Sequence, residues 1–386
     1  MNILVLCYEY PPIGGGGGVG AKQYAEAWAE AGHTVTVLTS WDRGLKRRER
    51  LRGVDLIRVP TFGKKNRATA TNLSMLCYLA FGFAHLVSHF TDFRKAEVIN
   101  THFSIPTGPL GVAASKLLAL PNILTIIGGD IYDPTKPGSP HRSAIFRFFN
   151  SVIINSATHV VAISSDTKKR ALEHYKIKKD INVINYGFDP PERKKINRSD
   201  LGLAEDKYYL IGVGRLVKRK GFEYLIESLR DLPTGIQLLI IGDGPLEQEL
   251  KNTALRAGVS DRVILPGYQP RERIWEYLQA CDCFVLSSLH EGLGIVVQEA
   301  MCAGLPIVAS DNGGQVDLIH DGRNGVLVRP MDSKALSSAI EEIYTHPEKA
   351  AEMGRNNVDD IKRCYMSENR EEYVKLFHLG TRGNGK

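Results

Sequence analysis

Cys283-Phe284-Val285-Leu286-Ser287-Ser288-Leu289-His290-Glu291-Gly292-Leu293-Gly294-Ile295-Val296-Val297-Gln298-Glu299 decides how this chain folds. Cys283–Ser288 reads as a buried strand, and Gln298–Ala303 as a helix that Gly304 and Pro306 end. Glu291 then falls in the strand-to-helix loop, and Glu299 about one turn inside the helix. In an open α/β sheet such loops lie at the carboxyl ends of the strands, where ligands bind. A helix N-terminus flanked by two carboxylates suits a ligand carrying both phosphate and hydroxyls. Backbone N–H groups take the phosphate, and the carboxylates take the hydroxyls.

Working outward, the same β-α alternation continues in both directions. In the second half, Tyr208–Val213, Gln237–Ile241, Val263–Leu265, Ile307–Ala309 and Val326–Val328 read as further strands. In the first half the strands are Ile3–Cys7, Thr34–Thr39, Leu56–Val59, Val98–Thr101, Ile123–Ile127, Val160–Ile163 and Asn182–Ile184. Between them, residues 185–200 carry Gly187, Pro190, Pro191 and a charged run, and read as a linker. The expectation is an α/β chain of two Rossmann-like domains facing across a cleft, residues 1–187 and 200–359. The last helix, about 360–386, is expected to cross back onto the first domain.

A length of 386 residues with 43% hydrophobic content is enough for two cores. The six cysteines lack metal or redox spacing and suggest core thiols in a reducing compartment. The apolar start Ile3–Leu6 is too short for a signal sequence. The most apolar stretch, Leu73–Phe90, is interrupted by Gly82, His85, Ser88 and His89, so it does not read as a span. These features point to a cytoplasmic protein, with peripheral attachment to the inner face of a membrane left open. The net charge of +6 is uneven: residues 43–52 hold Arg43, Lys46, Arg47, Arg48, Arg50 and Arg52, and Lys64-Lys65-Asn66-Arg67 follow. Such a segment attracts an anionic membrane face or an anionic acceptor, or is simply a solvated loop. No aromatic residues interleave it, which argues against nucleic acid.

Five glycine-rich turns bear on chemistry. Ile13–Gly20 contains five consecutive glycines, including Gly17 and Gly18, after the first strand and at the opening of the first helix. It satisfies G-x-G-x-x-G cheaply, but Thr39-Ser40-Trp41 at the end of the second strand offers no acid for a ribose, so a loop closing over a substrate is preferred to a dinucleotide site. Gly214-Arg215-Leu216-Val217-Lys218-Arg219-Lys220-Gly221 offers a guanidinium fork and an ammonium suited to a diphosphate. Gly242-Asp243-Gly244-Pro245, Gly267-Tyr268 and Gly313-Gly314 put further close-backbone turns on the same rim. No residue set has zinc or magnesium spacing, and no metal is expected.

Together these residues resemble the retaining glycosyltransferases of the GT-B fold, in the class called glycosyl transferases group 1. Glu291…Glu299 is similar to that family's paired-glutamate signature, and Gly214…Gly221 to its phosphate-binding segment. The likeness runs on through Leu265-Pro266-Gly267-Tyr268 and Ala300–Ser310 to Asp321–Gly325. In the first half, residues 11–20 and Asn185–Asp189 are similar more loosely.

The resemblance implies transfer of a hexosyl unit from a nucleotide diphosphate sugar, with retention and without metal or bound cofactor. It implies that Arg215 and Lys220 take the diphosphate, and Glu299 the ribose. Glu291, with the backbone of Gly292, Leu293 and Gly294, would take the donor sugar. A UDP-sugar is favoured over a GDP-sugar. The implied acceptor is a glycan, polyol or lipid-linked glycan. Many family members place a histidine where this chain has Ile127, so Asp130 or His102 is a candidate for the polar role, with a structural histidine the alternative for His102. Two other readings stand beside transfer: a sugar-nucleotide epimerase, and a catalytically inactive glycan- or nucleotide-binding protein.

Overall fold

Fourteen strands in two sheets organise the computed structural model, which describes residues 1–64, 67 and 69–382. The first sheet comprises β1 (Asn2–Cys7), β2 (Thr34–Ser40), β3 (Arg48–Leu51), β4 (Val54–Val59), β5 (Val98–His102), β6 (Asn122–Ile126), β7 (His159–Ala162) and β8 (Ile181–Val183). The second comprises β9 (Tyr208–Val213), β10 (Ile236–Ile241), β11 (Val263–Ile264), β12 (Cys283–Leu286), β13 (Ile307–Ser310) and β14 (Gly325–Val328). Their spatial orders are β3-β4-β2-β1-β5-β6-β7-β8 and β11-β10-β9-β12-β13-β14. All pairings are parallel except β3 with β4. Most of these strands are β-branched or apolar runs because helices cover both faces of a parallel sheet.

The chain divides into two compact units: Met1–Phe188 with the segment from Cys364 onward, and Asp189–Arg363. In unit 1, helix Met366–Arg382 lies against helix Gly16–Glu30. Tyr373 meets Tyr24 at 4.6 Å between ring centroids, and Phe377 meets Trp28 at 5.1 Å. Residues 189–200, expected as a linker, are in fact anchored on unit 2. Trp275 Nε1 donates to Glu192 O at 3.0 Å, and Arg193 Nη2 to Cys302 O at 2.6 Å.

Two further expectations need correction. The basic run 43–52 is not all loop: Arg48–Leu51 forms the antiparallel edge strand β3. Arg52 (φ 46°) and Gly53 (φ 79°) make the tight turn back to β4, the left-handed pair that a two-residue hairpin prefers. Arg58, buried on β4, donates to Glu49 across that hairpin. Lys65 and Asn66 lie outside the described residues, while Lys64 Nζ donates to Ser40 Oγ at 2.9 Å. Burial lowers the Lys64 ammonium to about 8.

The second correction concerns the glycine run. Gly16–Gly20 form the first turns of helix Gly16–Glu30 rather than a loop. A Cβ on Gly17 would stand 2.7 Å from Phe103 Cζ, and one on Gly20 2.6 Å from the Tyr186 ring. Close packing against aromatic rings, not mobility, is what this stretch uses glycine for. Among the described residues, no helix is long and apolar enough to cross a membrane.

Candidate functional site

In each sheet one pair of neighbouring strands marks where the strand order reverses. In unit 2 that pair is β9 and β12, and the loops leaving their carboxyl ends are Gly214–Gly221 and Ser287–Gly294. Such a crevice is where open α/β sheets bind ligands.

Glu291 sits there, 6% exposed. Its Oε1 accepts from Lys220 Nζ at 2.6 Å and from Ser288 Oγ at 2.7 Å. Its Oε2 is 3.3 Å from Arg219 Nη1, which also donates to His290 O at 3.0 Å. Burial alone would raise this carboxyl, but the Lys220 and Arg219 charges and the hydrogen bonds from Lys220 and Ser288 outweigh it and hold it at about 2. Glu291 is therefore an anion at neutral pH, able to accept hydrogen bonds and not to supply a proton.

Two glycines make this approach feasible. Gly214 (φ 157°) leaves room for the Lys220 stem, which a Cβ would meet at 2.7 Å. Gly313, at φ 106°, lets its loop come so close that a Cβ would lie 2.7 Å from Glu291 N. Gly314 N then donates to Glu291 O at 2.8 Å, fixing the backbone on which the carboxylate rides.

Glu299 lies on the following helix, Ile295–Ala303, and is also buried. Arg271 Nε donates to its Oε1 at 2.8 Å. Burial raises this carboxyl, with Arg271 opposing the shift. The helix starts from Gly294 (φ 94°), and its first turn carries no acidic side chain. A glycine N-cap supplies no side-chain acceptor, which leaves the positive end of the helix for an external anion. Leu293 is buried and pins the turn, whereas Arg215 and Tyr268 are exposed, Tyr268 by 72%.

The structure thus brings Glu291 and Lys220 into direct contact, and holds Glu299 through a different partner. Arg219, Ser288 and Arg271 are the contacts that sequence reasoning missed. Arg219 stood inside the quoted basic segment, but nothing in its spacing distinguished it from Lys218. Arg271 lies 28 positions from Glu299, and only the fold pairs them.

Unit 1 has its own reversal between β1 and β5, and it is different in kind. His102 ends β5 fully buried, with Nδ1 3.4 Å from the Tyr186 hydroxyl. Burial lowers it to about 3, so it is neutral. Asp130 is buried, and its two oxygens accept from Ser104 N at 2.6 Å and Ile127 N at 3.0 Å. Burial pushes its carboxyl up to about 6 against those backbone hydrogen bonds. Asp130 thus holds two loops together through its backbone partners, and His102 is fully enclosed beside Tyr186. Ile127 packs towards Gly17, where a Cβ would meet its Cδ1 at 3.3 Å. Among the described residues, no three His, Cys, Asp or Glu side chains converge as metal ligands.

Comparison with known proteins follows the same division. Residues 193–359 match the family described as Glycosyl transferases group 1, and residues 14–192 match Glycosyltransferase Family 4. An uncharacterized glycosyltransferase of Methanocaldococcus jannaschii is 25% identical over the full length of both chains. The lipopolysaccharide core biosynthesis glycosyltransferase LpsE of Rhizobium meliloti is 37% identical over 204 residues, 53% of this chain and 56% of its own length. Among solved structures, HepE of Anabaena in complex with UDP and glucose superposes with a TM-score of 0.80, covering 98% of this chain and 100% of that one at 21% identity.

Proposed function

We propose that this chain, a GT-B glycosyltransferase of group 1, transfers a hexosyl unit from a UDP-sugar to a glycan, polyol or lipid-linked acceptor with retention of configuration. The observation that carries the reading is Glu291, held ionised by Lys220 and Arg219 at the β9/β12 reversal. A buried, permanently ionised carboxylate suits hydrogen bonds from donor-sugar hydroxyls. Glu299 serves the ribose, and Arg215 and Lys220 the diphosphate. Lys220 has three N–H donors, so it can keep Glu291 while reaching phosphate oxygens.

The barrier lies in breaking the bond between the sugar C1 and the diphosphate oxygen. Negative charge grows on the leaving UDP as the sugar becomes oxocarbenium-like. Lys220, Arg215 and the N-terminus of helix Ile295–Ala303 stabilise that charge. The acceptor hydroxyl bonds to C1 from the face that UDP leaves, and its proton passes to a phosphate oxygen. The side-chain cations and helix end supply the counter-charge in this scheme without a metal ion.

Support for UDP comes from HepE, solved with UDP and glucose, and support for a glycan acceptor from LpsE, named for lipopolysaccharide core biosynthesis. The basic character of unit 1 fits an acceptor displayed at the inner face of an anionic membrane. The test is UDP release from a panel of UDP-sugars with and without candidate acceptors. Release that requires the acceptor is expected. Interconversion of the nucleotide sugar without acceptor, or nucleotide binding with no turnover, overturns the transfer reading.

A further inference from the structure

We propose that unit 1 docks on an anionic bilayer through helix Ala144–Ser156, a step that rests on the membrane-displayed acceptor of the proposed function. The apolar stripe of this helix points away from the protein. Ile145, Phe148, Phe149 and Val152 follow the i, i+3, i+4, i+7 rule, and are 67%, 66%, 54% and 46% exposed. The inward face is partly polar: Asn150 accepts from Ser104 Oγ, and Ser151 Oγ accepts from Lys176 N at 3.0 Å. Ile153 and Ile154 cover the core from that inward face, and the four residues of the stripe take no part in it.

A second apolar surface lies one helix away. Helix Asn72–Ser88 carries no Lys, Arg, Asp or Glu, and exposes Leu73, Leu76, Phe83 and Val87. Both helices pack on helix Gly108–Leu118. A Cβ on Gly82 would meet Leu110 at 2.8 Å, and one on Gly108 would meet Ile153 at 2.5 Å. The two stripes therefore belong to one helical layer of unit 1, on one side of its sheet.

Charge selects the occupant. Arg142 and Arg147 are exposed beside the stripe, and no Asp or Glu occurs from Pro134 to Ser165. Residues 1–188 and 364–386 carry 27 Lys and Arg against 16 Asp and Glu, a net +11, whereas residues 189–363 carry 22 against 27, a net −5. A second copy on this face would set one strongly cationic unit against another, whereas an anionic headgroup layer complements it. At 13 residues the helix is about 20 Å long, so it lies in the interface rather than spanning it.

The test is sedimentation of the full chain with phosphatidylcholine vesicles, with and without phosphatidylglycerol. Binding only to the anionic vesicles, weakened by salt, is expected. Phe148→Ser with Phe149→Ser should lower partitioning about tenfold or more, and Arg142→Gln with Arg147→Gln should flatten the salt dependence. UDP-induced stabilisation of the same samples reports the donor site separately, so its absence with vesicle binding intact sinks the donor reading and leaves docking standing. Equal binding by wild type and the Phe148/Phe149 variant overturns docking. So does a dimer in solution that the same substitutions dissociate and that ignores vesicles.

Discussion

The two sheet reversals have the same topology and opposite chemistry. At β9/β12, four charged or hydroxyl groups, Lys220, Arg219, Ser288 and Glu291, meet within hydrogen-bonding reach. At β1/β5, Phe103, Ile127 and a neutral His102 fill the corresponding position, and Asp130 is spent on backbone N–H groups. Phe103 adopts φ 73°, an unusual conformation for a bulky side chain, which the surrounding packing sustains. A shared topology sets the position, and the side chains brought there determine whether paired charges or packed rings dominate it. Substitutions at the first reversal should therefore change catalysis, and those at the second should change stability alone.

The sharpest challenge to that contrast is Lys220→Ala, expected to lower kcat/KM about 10³-fold by removing a cation from the developing diphosphate charge. An unchanged rate would remove Lys220 from the site. Glu291→Gln should cost about 10²-fold, chiefly in kcat if the carboxylate acts on the donor sugar as it distorts, with circular dichroism unaltered.

Acid unfolding separates the units by sign. The folded Glu291 carboxyl lies at about 2, below its ordinary 4.5, so its stabilisation is complete above pH 4.5 and is lost as pH falls towards 2. Between pH 5 and 3, wild type should lose about 2 kcal/mol more than Glu291→Gln in denaturant titrations. Asp130 has the opposite slope: raised to about 6, it weakens the fold as pH climbs from about 4 to 6. Asp130→Asn should flatten that limb, and a steeper one would contradict the burial argument.

Arg271→Gln leaves Glu299 buried without its partner, and should weaken UDP binding about tenfold while moving kcat little, as read by titration calorimetry. The smallest effect belongs to the other reversal. Gly17→Ala places a methyl group against the movable end of Phe103, and should cost about 1 kcal/mol of stability without altering UDP affinity. A large loss of affinity there would abolish the contrast between the two crevices.

Much of the fold was legible because parallel strands buried on both faces are mostly written as apolar or β-branched runs, although Thr34–Ser40 and Val54–Val59 also carry polar residues. The edge strand Arg48–Leu51 was not, since its composition is that of a charged loop and its pairing depends on the Arg52-Gly53 turn. The glycine run misled for a related reason: absent side chains permit either a loop or a close approach, and only Phe103 and Tyr186, brought from distant positions, decide between them.

By itself the sequence determined the alternation of strands and helices, the loop holding Glu291 and the helix holding Glu299, because these depend on local periodicity and turn chemistry. Only the tertiary structure decided that Lys220 and Arg219 share Glu291, that Arg271 holds Glu299, that Asp130 and His102 are enclosed, and that the Phe148 stripe faces outward. Each of those is set by which distant groups meet and how much water they exclude, and a charge or an apolar side chain acquires its chemistry from that surrounding.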